Sequence, residues 1–190
     1  MGKNKKSNII YDDIEFDSKE ELEFYHWCIE AKKYKIISDF KYNCESYQLS
    51  PKQTIDEERQ LKTKTKIVSK HLFHEHIYTP DFHLFKGERW GVIDKESKLI
   101  SSHDNKTEIV IDVKGIFQMH DGSRSFSINQ KWMYEKYGIY VNKLIPEKFF
   151  KLTWVPESCK MTAKTKQIRK KYEKTQTILE KFGGIESSNN

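Results

Sequence analysis

One stretch, Glu108-Ile109-Val110-Ile111-Asp112-Val113-Lys114-Gly115, constrains this chain more than any other. It reads as a buried β-strand that carries charged side chains where a core strand should have none. Successive strand side chains alternate faces. Ile109, Ile111 and Val113 therefore share one face, and Glu108, Val110, Asp112 and Lys114 the other. An acid and an amine two residues apart on one face of an apolar strand are costly unless a metal, a partner or a reaction uses them. Gly115 ends the strand and allows other backbone, or a phosphate, to approach closely.

The rest of the chain has to supply a fold around that strand. Its 190 residues suffice for one domain with a real core, extended by tails and insertions. The 13% aromatic content argues against general disorder. A net charge of +6, with Lys and Arg abundant at both ends, favours a polyanionic partner. No run approaches the ~18 apolar residues of a membrane span, and no apolar stretch follows the basic N-terminus as in a secretory signal. Cys28, Cys44 and Cys159 are odd in number and far apart, which points to a reducing cytoplasm without a disulfide frame.

In chain order, residues 1–12 read as a flexible basic terminus. Ser18 is a good N-cap, and Glu21 three residues on completes a capping box for a helix over Lys19–Lys33. Glu21, Phe24, Tyr25 and Cys28 share its core face, while Glu20, Glu23, Trp27 and Glu30 lie on another. Residues 36–48 hold one or two strands. Residues 51–66 read as a polar insertion with weak helical character around 57–61. Residues 67–73 and 76–85 read as the strands of a hairpin, with Asp81, His83 and Phe85 on one face and Pro80 marking a start or bulge. Residues 86–107 form a second polar excursion with a small hairpin at 90–94. After the central strand, Ser127 with Gln130 and the stop at Gly138 predict a helix over 128–137. Residues 139–144 and 149–155 read as strands. Residues 162–182 read as a final basic helix, with Ile168, Tyr172, Thr175, Leu179 and Phe182 as its seam. The expected class is α/β: a small mixed β-sheet flanked by helices, comprising a core over 13–157, a basic C-terminal helix over 158–183 and a flexible tail over 184–190.

Asp81 and Asp112 could hold one ion between paired strands, which lie ~4.8 Å apart. Mg²⁺ takes oxygen ligands at ~2.1 Å and keeps several waters, so two carboxylates, the Val113 carbonyl and a helix carboxylate suit it. Lys114 would then orient an attacking water or stabilise charge on a pentacovalent phosphorus. That is a coherent arrangement for phosphodiester hydrolysis.

At this point the residues resemble a family. Pro80-Asp81, thirty-one residues before Asp112-Val113-Lys114, looks like the signature of the PD-(D/E)xK nuclease superfamily. With Phe16-Asp17-Ser18-Lys19-Glu20-Glu21 and Thr79-Pro80-Asp81-Phe82, it is similar to small phage-encoded endonucleases and Holliday-junction-cleaving enzymes over roughly residues 14–145. The resemblance implies a restriction-endonuclease-like core and an Mg²⁺-dependent endonuclease, with Mn²⁺ as a substitute. Its ligands would be Asp81, Asp112, the Val113 carbonyl and Glu21, and Lys114 its catalytic lysine. Lys131, with Gln130 as its rival, matches a position kept near the scissile phosphate. Lys164, Lys166, Lys170, Lys171 and Lys174 on the last helix would clamp DNA backbone.

The expected partners are DNA and a second copy of the chain, with no nucleotide cofactor and no membrane. Two alternatives stay open: a degenerate nuclease fold that binds DNA without cutting it, and a transposase-type end-cleaving subunit. His71, His74 and His76 lack a fourth zinc ligand at suitable spacing.

Overall fold

The computed structural model describes residues 9–43, 45–102, 107–116 and 122–183, with Gly122 and Ser123 described by backbone alone. Its elements run β1 (Ile9–Tyr11), β2 (Ile14–Phe16), α1 (Lys19–Lys33), β3 (Ile37–Tyr42), β4 (Tyr47–Ser50), β5 (Gln53–Gln60), β6 (Thr65–Phe73), β7 (His76–Tyr78) and β8 (Phe82–Lys86). There follow a 3₁₀ turn at Trp90–Val92, α2 (Asp94–Ser97), β9 (Glu108–Val113), α3 (Gly122–Tyr137), β10 (Val141–Leu144), α4 (Pro146–Leu152), α5 (Glu157–Lys160), a 3₁₀ turn at Lys170–Tyr172 and α6 (Ile178–Phe182).

The principal sheet has the order β10-β9-β8-β3. β3, β8 and β9 pair antiparallel in turn, and β10 returns parallel to β9 after α3. The chain is thus mixed α/β, as expected. The central strand divides as its alternation requires: Ile109, Ile111 and Val113 enter the larger core, while Val110 enters a second cluster with Leu49, Tyr78, Phe126, Met133 and Val141. α1 covers the first face. α3 covers the second together with the β4–β7 pair, which it holds through Lys136 Nζ and Tyr137 Oη donating to the Gln48 carbonyl at 2.7 and 2.9 Å.

α1 has the predicted bounds. Ser18 Oγ caps it by accepting from Glu21 N–H at 3.2 Å, and Lys32 and Lys33 sit in its last turn. Trp27, assigned by helical spacing to a polar face, is instead fully buried. It stacks on Trp154 with centroids 4.6 Å apart and meets Phe149 edge-on at 5.0 Å. The reason is a further layer: the segment after β10 folds back over α1, so this helix is apolar on two sides.

That layer is not the basic helix expected over 162–182. Met161 and Ile168 form an isolated bridge, followed by a 3₁₀ turn and the five-residue α6. Threonine side chains capture local backbone there: Thr162 Oγ1 accepts from Gln167 N–H at 3.2 Å, and Thr177 closes a capping box with Glu180. Arg169 anchors the segment to Glu23 at 2.9 Å. Of the expected seam, Tyr172 and Phe182 are buried, whereas Ile168 and Leu179 are exposed.

Other expectations are corrected likewise. Residues 149–155 are not a strand, since Pro146 opens α4 and both Phe149 and Phe150 are buried. Residues 53–60 are a strand paired with β6, so residues 67–73 do not pair with 76–85, and the latter stretch is split between β7 and β8. Residues 90–94 are a turn and not a hairpin. α3 begins at Gly122, with Ser127 inside it, because Phe126 already packs on the sheet; it ends before Gly138, whose φ is 66°. Ile9–Tyr11 pairs with β2, while residues 1–8, 184–190 and Cys44 lie outside the described residues.

Candidate active site

β8 and β9 pair through Phe82↔Ile111. Continuing that register by one residue sets Asp81 opposite Asp112. Asp81 is pinned on both sides: its carbonyl accepts from Asn43 N–H at 2.8 Å, and its Oδ2 accepts from Val113 N–H at 2.6 Å. Strand residues present N–H and C=O to the same neighbour, so the Val113 carbonyl turns toward the Asp81 side as well.

Asp112 is 3% exposed, and its Oδ2 lies 2.6 Å from Lys114 Nζ. That contact is an ion pair whose angle departs from hydrogen-bond alignment, and Asp112 Oδ2 is without an aligned donor among the described residues. The two carboxylates feel one another. Burial pushes Asp81 above the ordinary carboxylate range, the Asp112 charge pushes further, and the Lys114 ammonium draws it partly back. Burial raises Asp112 too, opposed first by Lys114. Tyr78, on β7, is raised by burial and then by the charges of Asp112 and Asp81, which places its phenol beside both acids.

Glu21 reaches this end of the sheet from the N-terminus of α1, and its charge adds to the rise at Asp81. Its oxygens are already engaged. Oε1 accepts from Ser18 Oγ at 2.6 Å, and Oε2 from Tyr42 Oη at 2.6 Å and Asp17 N–H at 3.3 Å. Among the described residues, no three His, Cys, Asp or Glu side chains are gathered as a ready-made metal cage. What the site offers is a carboxylate pair, Asp81 half-buried and Asp112 buried, with one buried Asp112 oxygen that lacks an aligned donor. This donor set suits a hard cation that keeps its own waters, and it does not suit zinc.

Sequence reasoning missed or misplaced four side chains. Lys143 on β10 is the register partner of Asp112 and contributes positive charge to it. The alternation Val141-Asn142-Lys143-Leu144 was the available signal, since it puts an amine on the Asp112 face. Tyr78 and Tyr42 had no signal beyond lying in strands. Glu20, set on an outward face by helical spacing, instead brings its carboxylate to within 3.4 Å of where a Cβ on Gly115 would sit.

The expected DNA-contacting residues lie on α3 and in the C-terminal segment. Gln130 donates its amide to the Val141 carbonyl at 2.7 Å, fixing α3 to β10. Lys131 is exposed and borders a cavity of about 510 Å³ with Ile100, Tyr134 and Tyr140. Lys171 lies near Glu23 and Glu147, at 3.8 and 3.7 Å, whereas Lys164, Lys166, Lys170 and Lys174 are exposed. His83 is fully buried and pairs with Glu108 at 2.8 Å. Cys28 and Cys159 are free and buried, and no helix is long and apolar enough to cross a membrane.

In comparisons with known proteins, this chain matches no family model, no curated sequence and no solved structure.

Proposed function

We propose that this protein is a metal-dependent endodeoxyribonuclease of the PD-(D/E)xK type, hydrolysing phosphodiesters in branched or otherwise structured DNA. One observation carries the reading: a half-buried Asp81 and a buried Asp112 are held side by side at a strand end, with Lys114 Nζ against the second. A fold seeking only stability would not keep two acids there. The order α1-β3-β8-β9-α3-β10 supports it, because it gives a mixed sheet with one helix layer on each face of the acid-bearing strands.

Asp81, Asp112 and the Val113 carbonyl would hold Mg²⁺ or Mn²⁺, with Glu21 reached through water. The chemistry such a cation supplies when bound is polarisation of a phosphoryl oxygen and acidification of a water. Lys114 balances the acid pair at rest. With a phosphate present, its ammonium is free to turn from Asp112 toward the attacking water and the developing charge. Lys143 adds a second positive charge on the same face, and the buried Tyr78 phenol lies beside both acids. Cutting both strands of a branch takes two such sites, so a homodimer is the assembly this reading favours.

The test is to incubate the protein with supercoiled, linear and four-way-junction DNA in Mg²⁺ or in EDTA. Nicking or resolution in Mg²⁺, lost in EDTA and in Asp112→Ala and Lys114→Ala, is expected. Tight binding without cleavage in both Mg²⁺ and Mn²⁺ would overturn the assignment in favour of a binding module.

A further inference from the structure

The β5–β6 hairpin stands apart from every other element. It forms its own two-stranded sheet, and its residues are exposed along nearly the whole length. A lone hairpin is marginal in water, because it has no face to bury. Its eight-residue strand β5 nevertheless extends roughly 27 Å at the usual rise per residue. Its charges are sorted along that length. Asp56, Glu57 and Glu58 occupy the middle of β5, where Lys70 pairs with Glu57 at 2.9 Å. Residues 59–66 carry Arg59, Lys62, Lys64 and Lys66 and no acid. No ion pair joins these four to a carboxylate among the described residues. Arg59 and Lys66 are register partners, directly opposite one another across the ribbon. Like charges so placed repel and weaken a hairpin. The tip is therefore built against its own stability, a repulsion that a polyanion would relieve.

The base of the ribbon leads to the candidate site. β6 ends at Phe73, and Tyr78, five residues on, lies against Asp112 and Asp81. Between them, His76 Nε2 lies 2.9 Å from Asn129 Oδ1 of α3, tying the base to the body.

We infer that the β5–β6 ribbon is an arm that grips duplex DNA beside the acid pair, its cationic tip lying against backbone phosphates. A B-form major groove, ~12 Å wide and ~8.5 Å deep, admits a two-stranded ribbon. Contacts of this kind position the duplex without reading sequence. The inference rests on the nuclease reading only for taking the polyanion to be DNA.

The experiment measures binding without cleavage. The full-length protein is titrated against a fluorescently labelled 30-base-pair duplex in EDTA over a series of NaCl concentrations. It is compared with a variant carrying Arg59→Ala, Lys62→Ala, Lys64→Ala and Lys66→Ala. Because each neutralised phosphate contributes about 0.9 to the slope of log K against log[salt], loss of all four contacts flattens it by roughly 3 to 4. Affinity at low salt falls at least tenfold, the melting temperature does not fall, and an all-lysine tip carrying only Arg59→Lys keeps the slope. An unchanged slope in the alanine variant overturns the arm. So does a slope that instead collapses on neutralising Lys164, Lys166, Lys170 and Lys174, or a dimer that dissociates with Ile67→Asp, a change at an exposed apolar residue of β6, while the alanine variant binds DNA normally. Mg²⁺-dependent cleavage with an unchanged slope would refute the arm and spare the nuclease. A flattened slope with no cleavage in any metal would do the reverse.

Discussion

Asp81→Asn is expected to make this protein more stable and inactive. Asparagine keeps an acceptor for Val113 N–H, the 2.6 Å contact that fixes the end of β8 to β9, and removes one charge from a pair in which Asp81 is half-buried and Asp112 buried. Two carboxylates on adjacent strands ~4.8 Å apart repel by roughly 3 kcal/mol at an effective dielectric of ~20. Burial adds a desolvation cost of the same sign, and the attraction of Lys114 offsets part of both, in the order burial, Asp112, Lys114. The net gain expected is about 2 kcal/mol, or about 4–8 °C in melting temperature for a chain of this size. The assay is thermal unfolding in EDTA at pH 8, run beside the plasmid-nicking reaction. Mg²⁺ at ten times its dissociation constant should then stabilise the natural protein by about 1.4 kcal/mol and leave the variant unmoved, narrowing the gap. An Asn variant no more stable than the natural protein in EDTA would mean that the two acids do not oppose each other in low dielectric. The case for a built site would go with it.

Two further outcomes follow from the core. Glu30 accepts from Trp154 Nε1 at 3.0 Å and Glu157 N–H at 2.8 Å, yet burial pushes its carboxyl up to about 7. A folded-state value above the unfolded one means the native state binds the extra proton, so the contribution of Glu30 is fully present below pH 4.5 and is lost as pH rises toward 7. After discounting for partial exposure the loss is about 2 kcal/mol, and it should flatten in Glu30→Gln when urea midpoints are compared between pH 4.5 and 7.5. Trp154→Ala, by removing a fully buried ring stacked on Trp27, should cost about 3–5 kcal/mol in urea unfolding, whereas Trp132→Ala, partly exposed on α3, should cost about 1 kcal/mol or less.

Local signals made α1 and β9 legible. Ser18 and the first-turn acids define one end of the helix, and strict alternation sorts Ile109, Ile111 and Val113 from Val110 and Asp112. Asp81 and Asp112 were legible as a pair for the same reason, since their faces and spacing are written into the strands. Trp27 and residues 162–182 were not. Whether a tryptophan beside glutamates is a surface residue depends on what folds over it, and here that cover comes from Trp154, more than a hundred residues away. The same segment carries a helical seam in its sequence, but its threonines bond to nearby backbone and Tyr172 is drawn into the core. Residues 53–60 are strand only because β6 lies beside them, a dependence that charge-rich composition conceals. Lys143 joins Asp112 through a parallel crossover, which no local window contains.

The cross-strand partnership of Gln53 with Phe73 has one more consequence. Where a projecting ribbon leaves the body, its entry and exit points are neighbours, so a short connector can replace everything between them with little change in closure entropy. The meander of β3, β8 and β9 closes without it. Such an appendage is detachable: it can lengthen, shorten or change sign over evolution while the acids below keep their positions.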